Sequence, residues 1–253
     1  MSKIQVRNLT IGEGMPKICV PIVGKTRKEI LTIARDIRQV PADMAEWRAD
    51  WFEDIFESQE VVSLLAELRE MLGDMPLLFT FRTKAEGGEK EVSMGQYARL
   101  NQQVMETGCV DLIDLEIFSQ KEVAQELIRV AHQRGVKVVG SSHNFEKTPE
   151  KEEIVRRLCH MDAVGADILK IAVMPQSTED VLTLLSATEE MKTMHTGKPI
   201  VTMSMLDMGM LSRVAGETFG SAITFGALDK ASAPGQIGVR ELKSVLEILH
   251  HTR

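Results

Sequence analysis

The chain of 253 residues is poor in cysteine: Cys19, Cys109 and Cys159 are an odd number with no C-x-x-C pair among them. That spacing argues against a disulfide framework and a cysteine-built zinc site, and predicts small buried apolar residues in a reducing compartment. No apolar run approaches the ~20 residues of a membrane span, and the N-terminus carries no hydrophobic signal region, so the expectation is a soluble cytoplasmic protein. Positive charge is not in excess either. Lys and Arg number 30 against 37 Asp and Glu, a net charge of -7 with a pI near 5.5. A nucleic-acid partner would want a basic face, so that class is set aside, although a local basic site can still hold a small anion. No linker or low-complexity stretch interrupts the chain, which reads as one domain over residues 1–253. What is present is an ordinary globular balance, 43% apolar and 26% charged, enough for a full core.

Eight short segments rich in β-branched or apolar residues recur at intervals that suit a strand-plus-helix unit. They are Lys17–Gly24, Met44–Glu53, Pro76–Thr83, Cys109–Phe118, Val136–Phe145, Ala166–Met174, Lys198–Leu206 and Ser221–Leu228. Between them lie helix start signals. Thr26 with Glu29, Ser93 with Gln96, and Ser119 with Glu122 each fit a capping box, and Thr148-Pro149 places proline at a first helical position. Gly73, Gly108, Gly135 and Gly197 mark helix ends. Val239, Leu242, Val245, Leu246 and Leu249 form an amphipathic stripe on a last helix. Several strands are apolar on both faces, as in a parallel sheet covered by helices. The pattern predicts an α/β fold, a (β/α)8 TIM barrel, with Ile4, Val6, Leu9 and Ile11 around Asn8 forming an N-terminal β-hairpin that closes one end. An open doubly wound sheet would want a Gly-rich phosphate loop after the first strand, and none is there.

In such a barrel the chemistry collects at the C-terminal ends of the strands. Lys170 lies inside the apolar run Ala166–Met174, and lysine is almost never fully buried unless paired or functional. Burial disfavours the charged form of an amine and can turn it into a nucleophile that forms a Schiff base with a ketone or aldehyde. The alternative is a lysine at a strand end whose head reaches solvent. His143 on the preceding strand would stand about 5 Å away, a general base beside a candidate amine, with the core histidine as its bland alternative. Glu86, in the loop after the third strand, could fix the imidazole tautomer or be a solvated carboxylate. Glu46, Arg48 and Asp50 alternate on the second strand, Arg82 ends the third, Glu116 lies on the fourth, and Arg213 follows the seventh. Met203, Met205 and Phe225 are either barrel core or the apolar wall of a pocket.

Taken together, these residues resemble the type I 3-dehydroquinate dehydratases (3-dehydroquinases) of the shikimate pathway. The resemblance rests on Glu46-Trp47-Arg48-Ala49-Asp50, Phe79-Thr80-Phe81-Arg82 with Glu86-Gly87-Gly88, Asp114-Leu115-Glu116 and Ser142-His143-Asn144-Phe145. It continues through Ala166–Lys170, Thr202–Met205, Leu211-Ser212-Arg213 and Ala231–Gln236. Only the residues between Met205 and Gly209 depart from the pattern. The resemblance implies a hydro-lyase in which Lys170 forms an imine with 3-dehydroquinate, His143 moves the proton and Glu86 orients His143. It implies that Arg213, Gln236 and Ser232 bind the substrate carboxylate, while Glu46, Arg48 and Arg82 hold the ring. It implies no metal, no organic cofactor and a homodimer. Residues 229–238 suit a lid. A class I aldolase, another Schiff-base barrel, is the alternative; its usual phosphate-binding nest is not apparent in the final loop Ser232–Gln236.

Overall fold

In the computed structural model, residues 3–228 and 235–251 are described. Eight strands alternate with helices as the segment spacing predicts: β3 (Lys17–Ile22), β4 (Met44–Arg48), β5 (Leu77–Thr80), β6 (Leu112–Glu116), β7 (Lys137–Asn144), β8 (Ile168–Val173), β9 (Ile200–Ser204) and β10 (Ile223–Ala227). Each pairs parallel with the next from β3 to β9, and β10 pairs parallel with β3. The curled sheet closes through an isolated bridge between Ile200 and Ser221. A ninth short strand, β11 (Ile237–Gly238), adds to β10. The covering helices are α1 (Arg27–Ile37), α2 (Ser58–Leu72), α3 (Met94–Glu106), α4 (Lys121–Gln133), α5 (Lys151–Ala163) and α6 (Thr178–Glu190), then the short α7 (Met210–Val214) and α8 (Gly216–Phe219), and finally α9 (Val239–His251). This is the TIM-barrel fold expected.

The period of two along each strand sorts the barrel interior into levels. The first inward residues, Cys19, Met44, Leu78, Leu112, Val139, Ile168, Val201 and Ile223, form an apolar floor. The hairpin of β1 (Ile4–Val6) and β2 (Leu9–Ile11) packs Val6 and Ile11 beneath it, so it closes the N-terminal end. Its turn is Arg7-Asn8, as expected, with Arg7 at φ 50. Arg7 then donates to Asp111, which also accepts from Arg69 and from the backbone N–H of Leu77. One level above the floor, Glu46, Thr80, Asp114, Ser141 and Lys170 are all buried. The polar groups thus begin two residues above an apolar plug, on the side where the strands end.

Several local expectations shift. The second strand stops at Arg48, and Asp50 lies in a single 3-10 turn, Ala49–Trp51. Ser93 makes its capping box with Gln96. Thr26 caps α1, while the Glu29 carboxylate reaches the N–H of Lys25. Ser119 caps nothing: α4 starts at Lys121 after Gln120, because the Ser119 hydroxyl turns toward two buried carboxylates. Pro149 precedes α5 rather than opening it, and the Thr148 hydroxyl donates to Met174 O instead. On α9 only Val239, Leu242 and Leu246 are buried, whereas Val245 and Leu249 face solvent. Cys19 is buried, but Cys109 and Cys159 are only half-buried; all three are free.

Candidate active site

A cavity of about 180 Å3 opens at the C-terminal end of the barrel, and its lining gathers most of the expected residues. Glu46, Arg48, Arg82, Glu86, His143, Lys170, Met203, Met205, Arg213, Phe225 and Gln236 all border it. Ser232, with the rest of 229–234 in the expected lid, lies outside the described residues.

Lys170 is 4% exposed on β8, so it does not reach solvent from a strand end. Its Nζ lies 3.0 Å from Asp114 Oδ2 and 3.7 Å from Glu46 Oε1. Phe225 sits over the same nitrogen, 4.9 Å from Nζ to the ring centroid, and Met203 and Met205 complete the apolar wall. The wall is present as expected, and two carboxylates stand beside the amine. Asp114 is the residue that single-site reading missed. It stands at i−2 from Glu116, so the same alternation that points one carboxylate inward points the other. Burial would raise its pKa, but Arg82, Lys170 and His143 outweigh burial and hold it well below the usual carboxylate range.

Arg82 is the hub of this charge network. Its guanidinium donates to Asp114 at 2.8 Å, to Glu116 at 3.0 Å and to Ser141 at 3.1 Å. Burial alone would lower its pKa, but the charges of Asp114, Glu116 and Glu86 raise it, so the cation is fixed. Arg48 makes a bidentate pair with Asp50, both contacts 2.8 Å, which also outweighs burial. The 3-10 turn thus returns Asp50 to the strand residue it was expected to flank. Arg213 on α7 is 2% exposed, and desolvation lowers its pKa to about 10.

His143 lies on β7 two residues beyond Ser141, which pairs with Lys170 in the sheet. Its Nδ1 is 2.9 Å from Glu86 Oε2, and its backbone N–H donates to the same oxygen at 3.0 Å. With Nδ1–H donating there, Nε2 carries the lone pair. Burial, then the cations Arg82 and Lys170, push the His143 pKa well below its ordinary value. The ring is therefore neutral near pH 7 and ready to accept a proton. Glu86 is 6% exposed, not a solvated loop carboxylate. Burial and the Glu116 charge push its pKa up to about 8, with Arg82 opposing. Its loop is pinned by glycine: a Cβ on Gly88 would meet Arg82 O at 1.9 Å, and one on Gly87 (φ +85) would meet the Phe145 ring at 2.2 Å. Phe145, which belongs to one of the resemblance motifs but carries no expected role, and Trp51 also border the cavity.

Chemically, the arrangement offers an amine, a neutral base two residues along the adjacent strand, and three buried guanidinium groups for an anionic, hydroxylated substrate. Among the described residues no cluster of His, Cys, Asp and Glu is arranged to hold a metal ion, and no helix is long and apolar enough to cross a membrane.

Comparison with known proteins agrees with this chemistry. The family model described as type I 3-dehydroquinase matches residues 18–253. A 3-dehydroquinate dehydratase of Clostridioides difficile (strain 630) is 54% identical over 248 residues, covering 98% of this chain and 97% of the relative. A solved type I 3-dehydroquinate dehydratase of Clostridium difficile, with covalent modified comenic acid, superposes with a TM-score of 0.97 at 54% identity, over 100% of this chain and 99% of that one. The 3-dehydroquinate dehydratase of Geobacillus kaustophilus HTA426 gives 0.96 at 38% identity, over 99% and 97%.

Proposed function

The chain belongs to the type I 3-dehydroquinase family, and from that membership we propose how its residues divide the work of the family's reaction. It is a 3-dehydroquinate dehydratase, a hydro-lyase that removes water from 3-dehydroquinate through a Schiff base to give 3-dehydroshikimate. The aldolase alternative is left behind by that membership.

Lys170 Nζ is the nucleophile. Its nitrogen attacks the C3 ketone, two of the three ammonium protons pass to the former ketone oxygen, and that oxygen leaves as water to give an iminium ion. The iminium withdraws electrons from the C2–H bond. His143 Nε2 takes the C2 proton, and the pair of electrons left behind makes the enamine. Collapse of the enamine breaks the C1–O bond, and His143 returns its proton to the departing hydroxyl, which leaves as water. Hydrolysis of the conjugated iminium frees the product and the amine. The lowered His143 pKa suits both halves of this cycle, because a weakly basic imidazole makes a strong acid once protonated. Glu86 fixes the ring through Nδ1. Arg213 and Gln236 take the carboxylate, with Ser232 as the third partner the resemblance implies, while Glu46, Arg48 and Arg82 hold the ring hydroxyls. Met203, Met205 and Phe225 exclude water from the iminium. Asp114 holds the resting ammonium and must yield it before attack.

The observation that carries the assignment is that Lys170 and His143, on neighbouring paired strands, border one cavity. Borohydride trapping with 3-dehydroquinate tests it. The intact protein gains the mass of the reduced adduct, the mass maps to Lys170, and Lys170→Ala abolishes it. No gain, or a gain on another lysine, removes Lys170 from the role. We further propose that residues 1–253 act as one domain, that the enzyme is a homodimer, which sedimentation velocity checks, and that it works in the cytoplasm.

A further inference from the structure

Ser119 stands at the start of α4, where its spacing to Glu122 suits a cap, yet its hydroxyl is turned inward. Oγ lies 2.7 Å from Glu86 Oε1 and 2.8 Å from Glu116 Oε2. A serine hydroxyl has one hydrogen to donate. It cannot satisfy two ionised carboxylates at once; one of the two contacts must carry a proton from the carboxyl side. The other donors decide which. Glu116 already receives Arg82 Nη1 at 3.0 Å, Thr83 N–H at 2.8 Å and Thr83 Oγ1 at 2.7 Å, so both of its oxygens are held as acceptors. Glu86 accepts both His143 N–H groups on Oε2 alone, and the Arg82 guanidinium is 3.6 Å from that oxygen. Among the described residues, Oε1 of Glu86 meets only Ser119.

We propose that Ser119 is a positioning residue of this site: its hydroxyl donates to Glu116 and accepts from a protonated Glu86, so that Glu86 presents a neutral carboxyl group to His143. The assignment rests on the reading of His143 as general base and deepens it. With Oε1 as the O–H and Oε2 as the carbonyl, Glu86 accepts Nδ1–H and fixes the tautomer, but brings no negative charge to steady an imidazolium. His143 then stays weakly basic, able to hand its proton to the leaving hydroxyl as readily as it took it. The groups facing the pair are Arg82 from the end of β5, Asp114 and Glu116 on β6, Lys170 on β8 and Arg48 on β4. Burial and the Glu116 charge favour the neutral Glu86 as well.

Removing the hydroxyl takes away the acceptor of the Glu86 proton. A water molecule in its place can donate twice, and so accommodates two carboxylates where serine cannot. Either way Glu86 ionises and His143 becomes more basic. The acid limb of kcat/KM for 3-dehydroquinate should rise by at least about half a pH unit in Ser119→Ala and return to its original place in Ser119→Thr. In a Glu86→Gln background, where the amide mimics the neutral acid, Ser119→Ala should shift nothing. An independent readout needs neither substrate nor turnover. At pH 7 the unliganded enzyme should show the infrared band of a protonated carboxyl group that disappears in Glu86→Gln. Absence of that band, or a Ser119→Ala acid limb that stays put or falls, overturns the assignment. A band that is present while borohydride traps nothing would keep the Ser119 assignment and sink the Schiff-base one.

Discussion

At the scale of single residues, the site is a balance of buried charges, and each partner has a measurable signature. His143→Ala should still accumulate the borohydride-trapped adduct, while turnover falls by about 10²–10⁴-fold or more, since proton transfer and not imine formation is what is lost. Normal turnover would remove His143 from its role. Asp114→Asn should cost stability on the order of 3 kcal/mol, because it leaves Lys170 and Arg82 short of a buried counter-charge. A carboxylate held below its unfolded pKa stabilises the fold above that value and stops doing so as it is protonated. Asp114 therefore contributes at neutral pH, and its contribution fades as the pH falls below about 3.9. Urea unfolding against pH should show a flatter acid slope in Asp114→Asn than in the parent. Glu86 has the opposite sign. With its pKa raised to about 8 it holds a proton that the unfolded chain releases, so it erodes stability as the pH rises from about 4.3 toward 8. Lys170, His143 and the arginines were legible as residues because charge in an apolar strand is anomalous. Asp114 was harder to single out, because its role depends on which neighbours the barrel brings to it.

At the scale of elements, short loops hold the groups that strands cannot. Gly88 is the sharpest case, since a side chain there would collide with the Arg82 carbonyl. Gly88→Ala should lower stability by at least about 2 kcal/mol, seen as a lower Tm, and should also depress kcat by displacing Glu86 and Arg82 together. A variant with unchanged Tm and kcat would show that the loop has slack. Strand positions and most helix starts were readable because hydrophobic period and capping chemistry are local. Ser119, Pro149 and Asp50 departed from the local reading for one reason. Each has a partner far away in sequence or a competing partner nearby: carboxylates at Glu86 and Glu116 for Ser119, Met174 O beside Pro149 through Thr148, and the Arg48 fork for Asp50.

At the scale of the whole molecule, the fold was legible because eight repeats of one unit leave few ways to bury every apolar strand face. The hairpin was legible too, although its purchase on Asp111 was not, since that contact spans 104 residues. Deleting residues 3–14 should expose the apolar floor, lower the Tm and promote aggregation, while any folded fraction still traps substrate at Lys170. A deletion with unchanged Tm would mean the floor needs no cover. The join between β9 and β10 differs from the other neighbours in the ring. One bridge, Ile200 to Ser221, is backed by the Ala222 N–H to Ile200 O bond of 2.7 Å and by the Ser221 hydroxyl accepting from Thr202 N–H at 3.1 Å. A side chain there stands in for a rung of main chain. The ring is thus fastened by a clasp, and in native-state hydrogen exchange the Thr202 and Ala222 amides should lose protection before those of β6 to β8. The barrel would come undone like a bracelet, at its catch, beside the strand that carries Met203.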